Sequence, residues 1–375
     1  MANISDYLDW RGDIHFLVSP FNEVDNYIVA KIGTADFQGI VAETAEPIAL
    51  EEAVERYFAR FGQAGNYLGA LSTERLAPVL HRLPETVRFR DLALSGYVNQ
   101  VLPQLTKQFS AMTVTLPDGN HYVSFRGTDD TIAAWKEDFM MSLEDAVPAQ
   151  LDAAAYLAWA AEAYPGPLIV GGHSKGGNLA VYAAATAAPE VQDRIVAVYN
   201  NDGPGFGEAF FQTEGYLRIR DRIVTLLPQR SIVGRFLCQD QYTVVKCGRS
   251  GFSAHDGFLW EVRGNAFVHA SRLSRASVAM YDSMAQVLQR MELEERREFI
   301  EDFFGMLTAS GAVTLTDINE HKLRKAVEFG KGMYRDKKMK RFAVDAMEQT
   351  LKQYMALLAA QGKSHLPGRK KGTGG

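Results

Sequence analysis

The chain has 375 residues, 47% of them hydrophobic and 23% charged, with 45 acidic against 40 basic side chains. That length supports a sizeable core and one to three domains at about 150 residues each. The near-neutral balance gives no global basic field and so excludes specific nucleic-acid binding, while the hydrophobic content excludes a largely disordered chain.

Cys238 and Cys247 cannot staple a chain this long and lack a Cys-x-x-Cys zinc spacing, so they read as reduced thiols. The amino terminus puts acids where a secretory signal would have basic residues and then an apolar run. The longest apolar stretches, residues 153–161 and 179–189, fall short of the roughly 18 residues a membrane span needs. A soluble cytoplasmic protein is expected.

In chain order, residues 1–105 hold helical runs at Leu50–Phe61 and 73–81 whose arrangement the pattern leaves open, and they read as an N-terminal segment that could serve as a cap. Two β-rich runs, 111–116 and 121–125, flank the turn cluster Pro117-Asp118-Gly119-Asn120 and predict a hairpin. Thr128-Asp129-Asp130 offers N-cap chemistry to a helix bearing Ile132, Trp135, Phe139 and Met140. A second helix, 151–164, ends at Pro165-Gly166-Pro167 and is followed by a short apolar strand at 168–170. A helix at 175–188 and strands at 194–199, 222–227 and 242–247 complete an alternation that predicts a mostly parallel sheet, so residues 106–268 form an α/β core. Residues 269–361 show long helical spacing, at 274–301 and 322–360 with a break at 309–317, and read as a helical extension. Residues 362–375 read as a flexible basic tail, suited to transient contact with RNA or an anionic membrane surface.

The informative segment is Gly172-His173-Ser174-Lys175-Gly176, a Gly-x-Ser-x-Gly pentapeptide between an apolar strand and an alanine-rich helix. A serine hydroxyl needs to be held exposed beside a base to act as a nucleophile. The sharp strand-to-helix turn does that, and it demands small residues two before and two after the serine. It also sets Ser174 at a helix amino end, where the Lys175 N–H can act as an oxyanion donor. The Lys175 side chain opposes the helix dipole there. It reads as a solvated lysine, or as a contact for an anionic part of a substrate.

Hydrolases of this topology carry nucleophile, acid and histidine in that order. Four histidines lie beyond the elbow: His255, His269, His321 and His365. His255 lies in a loop just after a strand; His269 opens the helical extension, His321 sits on a helix and His365 in the tail, so His255 is the candidate base. Seven acids lie between Ser174 and His255, namely Glu190, Asp193, Asp202, Glu208, Glu214, Asp221 and Asp240. The site of an open parallel sheet lies beyond the carboxyl ends of its strands. Glu190, Asp193, Asp221 and Asp240 precede strands, whereas Asp202 follows one directly, in Asn200-Asn201-Asp202-Gly203, and leads Glu208 and Glu214 as the acid that orients His255. Thr128, after Gly127, is the candidate second oxyanion donor, with both an N–H and a hydroxyl to offer.

Together these residues resemble the α/β-hydrolase superfamily and, within it, lipases of the class 3 type. Phe125-Arg126-Gly127-Thr128 with Trp135 and Asp138 is similar to that family's oxyanion loop with its downstream Trp and Asp, and the elbow is similar to its Gly-His-Ser-Leu-Gly-Gly, with Lys175 in place of an apolar residue. The family usually draws its acid from an Asp-x-Val-Pro loop one strand later, where this chain has Ser231-Ile232-Val233-Gly234. Asp202-Gly203-Pro204-Gly205-Phe206 instead resembles the turn from which pancreatic-type lipases take their acid. The whole chain is similar to a group of uncharacterised bacterial lipase-like hydrolases. The resemblance implies a serine hydrolase acting on a small-molecule or lipid ester through Ser174, His255 and Asp202, with Thr128 and Lys175 at the oxyanion, and with no metal or organic cofactor. An acyltransferase using the same nucleophile and a non-catalytic hydrolase-like binding protein stay open, as does the oligomeric state.

Overall fold

The computed structural model describes residues 1–66, 75–129, 131–249, 251–275, 277–279 and 292–309. In chain order its strands are β1 (Ile48–Ala49), β2 (Ala93–Leu102), β3 (Lys107–Thr115), β4 (His121–Phe125), β5 (Leu168–His173), β6 (Ile195–Asn201), β7 (Ile223–Pro228) and β8 (Thr243–Val245), then β9 (Val262–Arg263), β10 (Ala266–Phe267) and β11 (His269–Ala270). All but β9 and β10 form one sheet in the order β1-β2-β3-β4-β5-β6-β7-β8-β11. The expected hairpin is β3 and β4, antiparallel around the predicted turn. From β4 to β8 each neighbouring pair is parallel, and β11 closes the edge antiparallel to β8. His269 therefore lies on an edge strand of this sheet and does not open a helix.

The helices are α1 (Ile4–Arg11), α2 (Glu23–Ile32), α3 (Leu50–Phe61), α4 (Leu76–Arg82), α5 (Ile132–Met140), α6 (Pro148–Ala163), α7 (Lys175–Thr186), α8 (Pro189–Gln192), α9 (Glu214–Ile219) and α10 (Leu293–Ala309). Because successive parallel strands step in one direction, right-handed crossovers place the intervening helices on one face of the sheet. Leu157 of α6 and Leu179 of α7 pack there with Val123, Phe125, Leu168 and Val170. The alternate strand residues Tyr122 and Ile169 point the other way, as the two-residue period of a strand requires. That second face is covered by the amino-terminal segment, through Tyr7, Tyr27, Ile28, Phe37 and Tyr57, and by Phe258 and Trp260. The segment read as a cap is thus a layer beneath the sheet, and the sheet itself crosses the 105/106 boundary through β1 and β2.

This layer is pinned by a polar centre that no local pattern announces. Arg88 and Asp25 are both fully buried and paired, Tyr7 Oη donates to Asp25 Oδ1 at 2.6 Å, and the Arg88 guanidinium lies 4.2 Å from the Phe16 ring centroid. Removing one partner strands a buried charge, so Arg88→Met should cost about 3–5 kcal/mol. Denaturant unfolding of the variant measures this as a lower midpoint.

Helix α5 begins with Thr131 as its N-cap, one residue beyond the expected group, and α10 packs on it through Ile132, Ile300 and Phe304 with Trp135 and Phe139. Lys136 pairs with Glu301 and Arg297 with Glu144, each at 2.6 Å. The predicted break at 309–317, the helix at 322–360, His321 and the basic tail lie outside the described residues apart from Ala309. Cys238 and Cys247 are free thiols. Among the described residues no helix is long and apolar enough to cross a membrane. Five parallel strands joined through helices, with a sharp turn after β5, make this an α/β-hydrolase fold.

Candidate active site

Ser174 sits between the last residue of β5 and the first of α7 at φ 60°, ψ −135°, a strained conformation for a side-chain-bearing residue. The flanking glycines are steric requirements. A Cβ on Gly172 would lie 2.4 Å from the Gly176 carbonyl, and one on Gly176 would lie 2.1 Å from the Phe125 oxygen. Backbone bonds fix the turn: the Ser174 N–H donates to Asn201 O at 3.0 Å, and its carbonyl accepts from Gly177 N at 2.8 Å. The side chain is half-buried.

The structure brings His255 and Asp202 together, with Nδ1 of the imidazole 2.7 Å from Asp202 Oδ2. His255 reaches the elbow through His173, whose ring centroid is 4.3 Å away and whose Nε2 donates to the His255 carbonyl at 2.8 Å. Burial, and next the neighbouring His255, push the His173 pKa well down, so His173 stays neutral and acts as a brace. Asp202 is fully buried at φ 52° immediately after β6. Its Oδ1 accepts from Ser231 Oγ at 2.5 Å and from Gly234 N at 3.2 Å. The Ser231–Gly234 turn after β7, which has no carboxylate of its own, supplies the donors that hold the carboxylate at the end of the preceding strand. Of the seven acids considered, the other six are exposed; Asp193 pairs with Arg218 and Asp240 with Arg220. His269 is exposed and faces Glu23.

Gly127 passes beside the elbow, since a Cβ there would come within 2.6 Å of His173 O and 3.1 Å of Ser174 Cβ. Thr128 follows it, with its hydroxyl donated to Asp138 Oδ2 at 2.5 Å. That single proton is committed, which leaves the backbone N–H as the group Thr128 can turn to an oxyanion. Lys175 corrects the sequence reading: its side chain is neither solvated nor aimed at a substrate. It is fully buried, with Nζ 2.5 Å from Glu137 Oε2 and donating to Gln108 O at 2.9 Å. Its N–H still opens α7 next to Ser174.

The model of the Mbeg1-like family matches residues 83–305, more than half of the chain. The chain belongs to the Mbeg1-like family. No curated protein matches the sequence. Among solved structures, the chain is similar to M37 lipase, at 17% identity and a TM-score of 0.35 over 49% of this chain and 69% of that one. It is also similar to the native propeptide complex of the Rhizomucor miehei lipase, at 19% identity and a TM-score of 0.30 over 41% of this chain and 57% of that one.

In this Mbeg1-like chain, α2 buttresses the site from beneath, outside the family-matched residues. Tyr27 Oη accepts from Gly257 N at 2.8 Å, two residues from His255. Asn26 Nδ2 donates to Asn201 Oδ1 at 2.8 Å, Tyr122 Oη donates to Asn26 Oδ1 at 2.8 Å, and Asn201 Nδ2 donates to the Gly172 carbonyl at 2.9 Å. Sequence reasoning missed Tyr27, Asn26, Asn201, His173, Ser231 and Glu137. One signal existed for the last of these: a lysine in a position otherwise apolar is buried, and a buried lysine needs a carboxylate.

Proposed function

We propose that this protein is a serine hydrolase of carboxylic esters with an apolar acyl chain. The observation that carries the reading is the buried His255–Asp202 pair, 2.7 Å apart, on the loop braced against the strained Ser174 elbow. In this reading His255 Nε2 takes the Ser174 proton as the hydroxyl attacks the ester carbonyl, and returns it to the leaving alcohol; water then releases the acyl group by the same route in reverse. Asp202 keeps Nδ1 protonated and stabilises the imidazolium. The N–H groups of Lys175 and Thr128 hold the oxyanion, helped by the amino end of α7. These roles use no metal or organic cofactor.

The apolar acyl chain is what the resemblance to class 3 lipases implies; the α5 side chains Trp135, Phe139 and Met140 next to the oxyanion loop are themselves packed in the cluster with Ile300 and Phe304 of α10. Chromogenic esters of increasing acyl length test the reading. Turnover should rise from acetyl towards longer chains in the native protein and fall by about 10⁴-fold or more in His255→Gln. Absence of turnover across the series, or equal turnover by the variant, would reject it.

A further inference from the structure

Lys175 and Glu137 are both fully buried, and burying two charges costs free energy that an apolar pair would avoid. The pair does more than neutralise itself. Glu137 Oε2 also accepts from Gln108 N at 3.0 Å, and Oε1 accepts from Ala149 N at 2.8 Å. One ion pair thereby ties the start of β3, helix α5, the amino end of α6 and the first residue of α7. Beside it stands Asp138, whose Oδ1 lies 3.9 Å from Lys175 Nζ and has no hydrogen-bond partner among the described residues. Its Oδ2 holds the Thr128 hydroxyl. The same lysine thus supplies one candidate oxyanion N–H from its backbone and touches the support of the other with its side chain.

Resting on the hydrolase reading above, we propose that the Lys175 ammonium is a positioning group for the oxyanion site, keeping the Asp138 carboxylate ionised so that it grips the Thr128 hydroxyl and fixes the direction of the Thr128 N–H. An ionised acceptor makes the stronger, shorter bond; a protonated Asp138 holds the loop less firmly. The charged groups around Asp138 are Lys175 from α7, Glu137 from its own helix, and Asp129 from the oxyanion loop, itself 3.6 Å from Arg126. Helix α10 directs Glu301 to Lys136, and on β3 Lys107 is engaged by Asp152. Burial raises the Asp138 carboxyl to about 7, and Lys175 is the largest opposing influence. The competent, ionised form therefore fills as pH rises through about 7, and losing the ammonium moves that transition upward.

The experiment is the rate of fluorophosphonate labelling of the full-length protein as a function of pH. In Lys175→Met the acidic limb should lie about one pH unit above that of the native protein. In an Asp138→Asn background the same substitution should move the limb no further. Because Lys175→Met strands Glu137, the double variant K175M/E137Q is measured alongside; Lys175 acts on Asp138 more strongly than Glu137 does, so its limb still moves up, by less. A limb unchanged in both Lys175 variants, or a shift that persists in the Asp138→Asn background, overturns the proposal. Native protein that is not labelled at Ser174 at any pH removes the hydrolase reading and this proposal with it, which separates the two failures.

Discussion

Replacing Ser174 by alanine should lower ester turnover by about 10⁶-fold, the scale set by removing a serine nucleophile from a working triad. The variant should fold normally. The elbow is held by the Ser174 N–H and carbonyl and by the clearance at Gly172 and Gly176, none of which needs the hydroxyl. Alanine also pays a positive-φ penalty at this position no larger than serine does. Loss of turnover with an unchanged melting temperature is the expected pair of results, and substrate binding should survive.

Asp202→Asn should lower kcat by about 10⁴-fold, and the local hydrogen bonds say why so nearly isosteric a change is severe. Ser231 Oγ and Gly234 N both donate to Oδ1, so an asparagine must keep its carbonyl oxygen there. Its NH₂ is then turned towards His255 Nδ1, where the carboxylate now accepts. The imidazole is driven to the tautomer with its proton on Nε2, and it can no longer take a proton from Ser174. If the account is right, the loss falls on kcat, and the pH profile of the residual activity no longer reports a competent histidine base. A variant with near-native kcat would show that Asp202 does not set the tautomer.

The parts of the fold and the site that were legible in the sequence share a local cause. Gly172 to Gly176 spells a turn whose sterics are contained in five residues, and the strand-then-helix pattern from Leu168 onward is a periodicity within one short window. Asp202 stands out among the acids because it follows a strand, a topological argument that needs only the order of elements, and the structure sets its carboxylate against His255. What stayed hidden depends on distant segments meeting. Tyr27 reaches Gly257, Asn26 reaches Asn201, and Arg88 reaches Asp25, contacts whose partners lie 63 to 230 residues apart. The second face of the sheet needed a cover because the crossovers place α6 and α7 on the same side, and nothing within residues 1–105 states which face they will meet. Lys175 departs from its local signal for a related reason: charge at a helix start suggests solvent, and its partner Glu137 comes from another helix.

The most direct test of the central claim is intact-mass and peptide-mapping analysis of the native protein after reaction with a fluorophosphonate probe. A single adduct on Ser174 is expected, absent from Ser174→Ala and strongly slowed in Asp202→Asn. Native protein that remains unmodified, or an adduct that forms equally in Ser174→Ala, would contradict it.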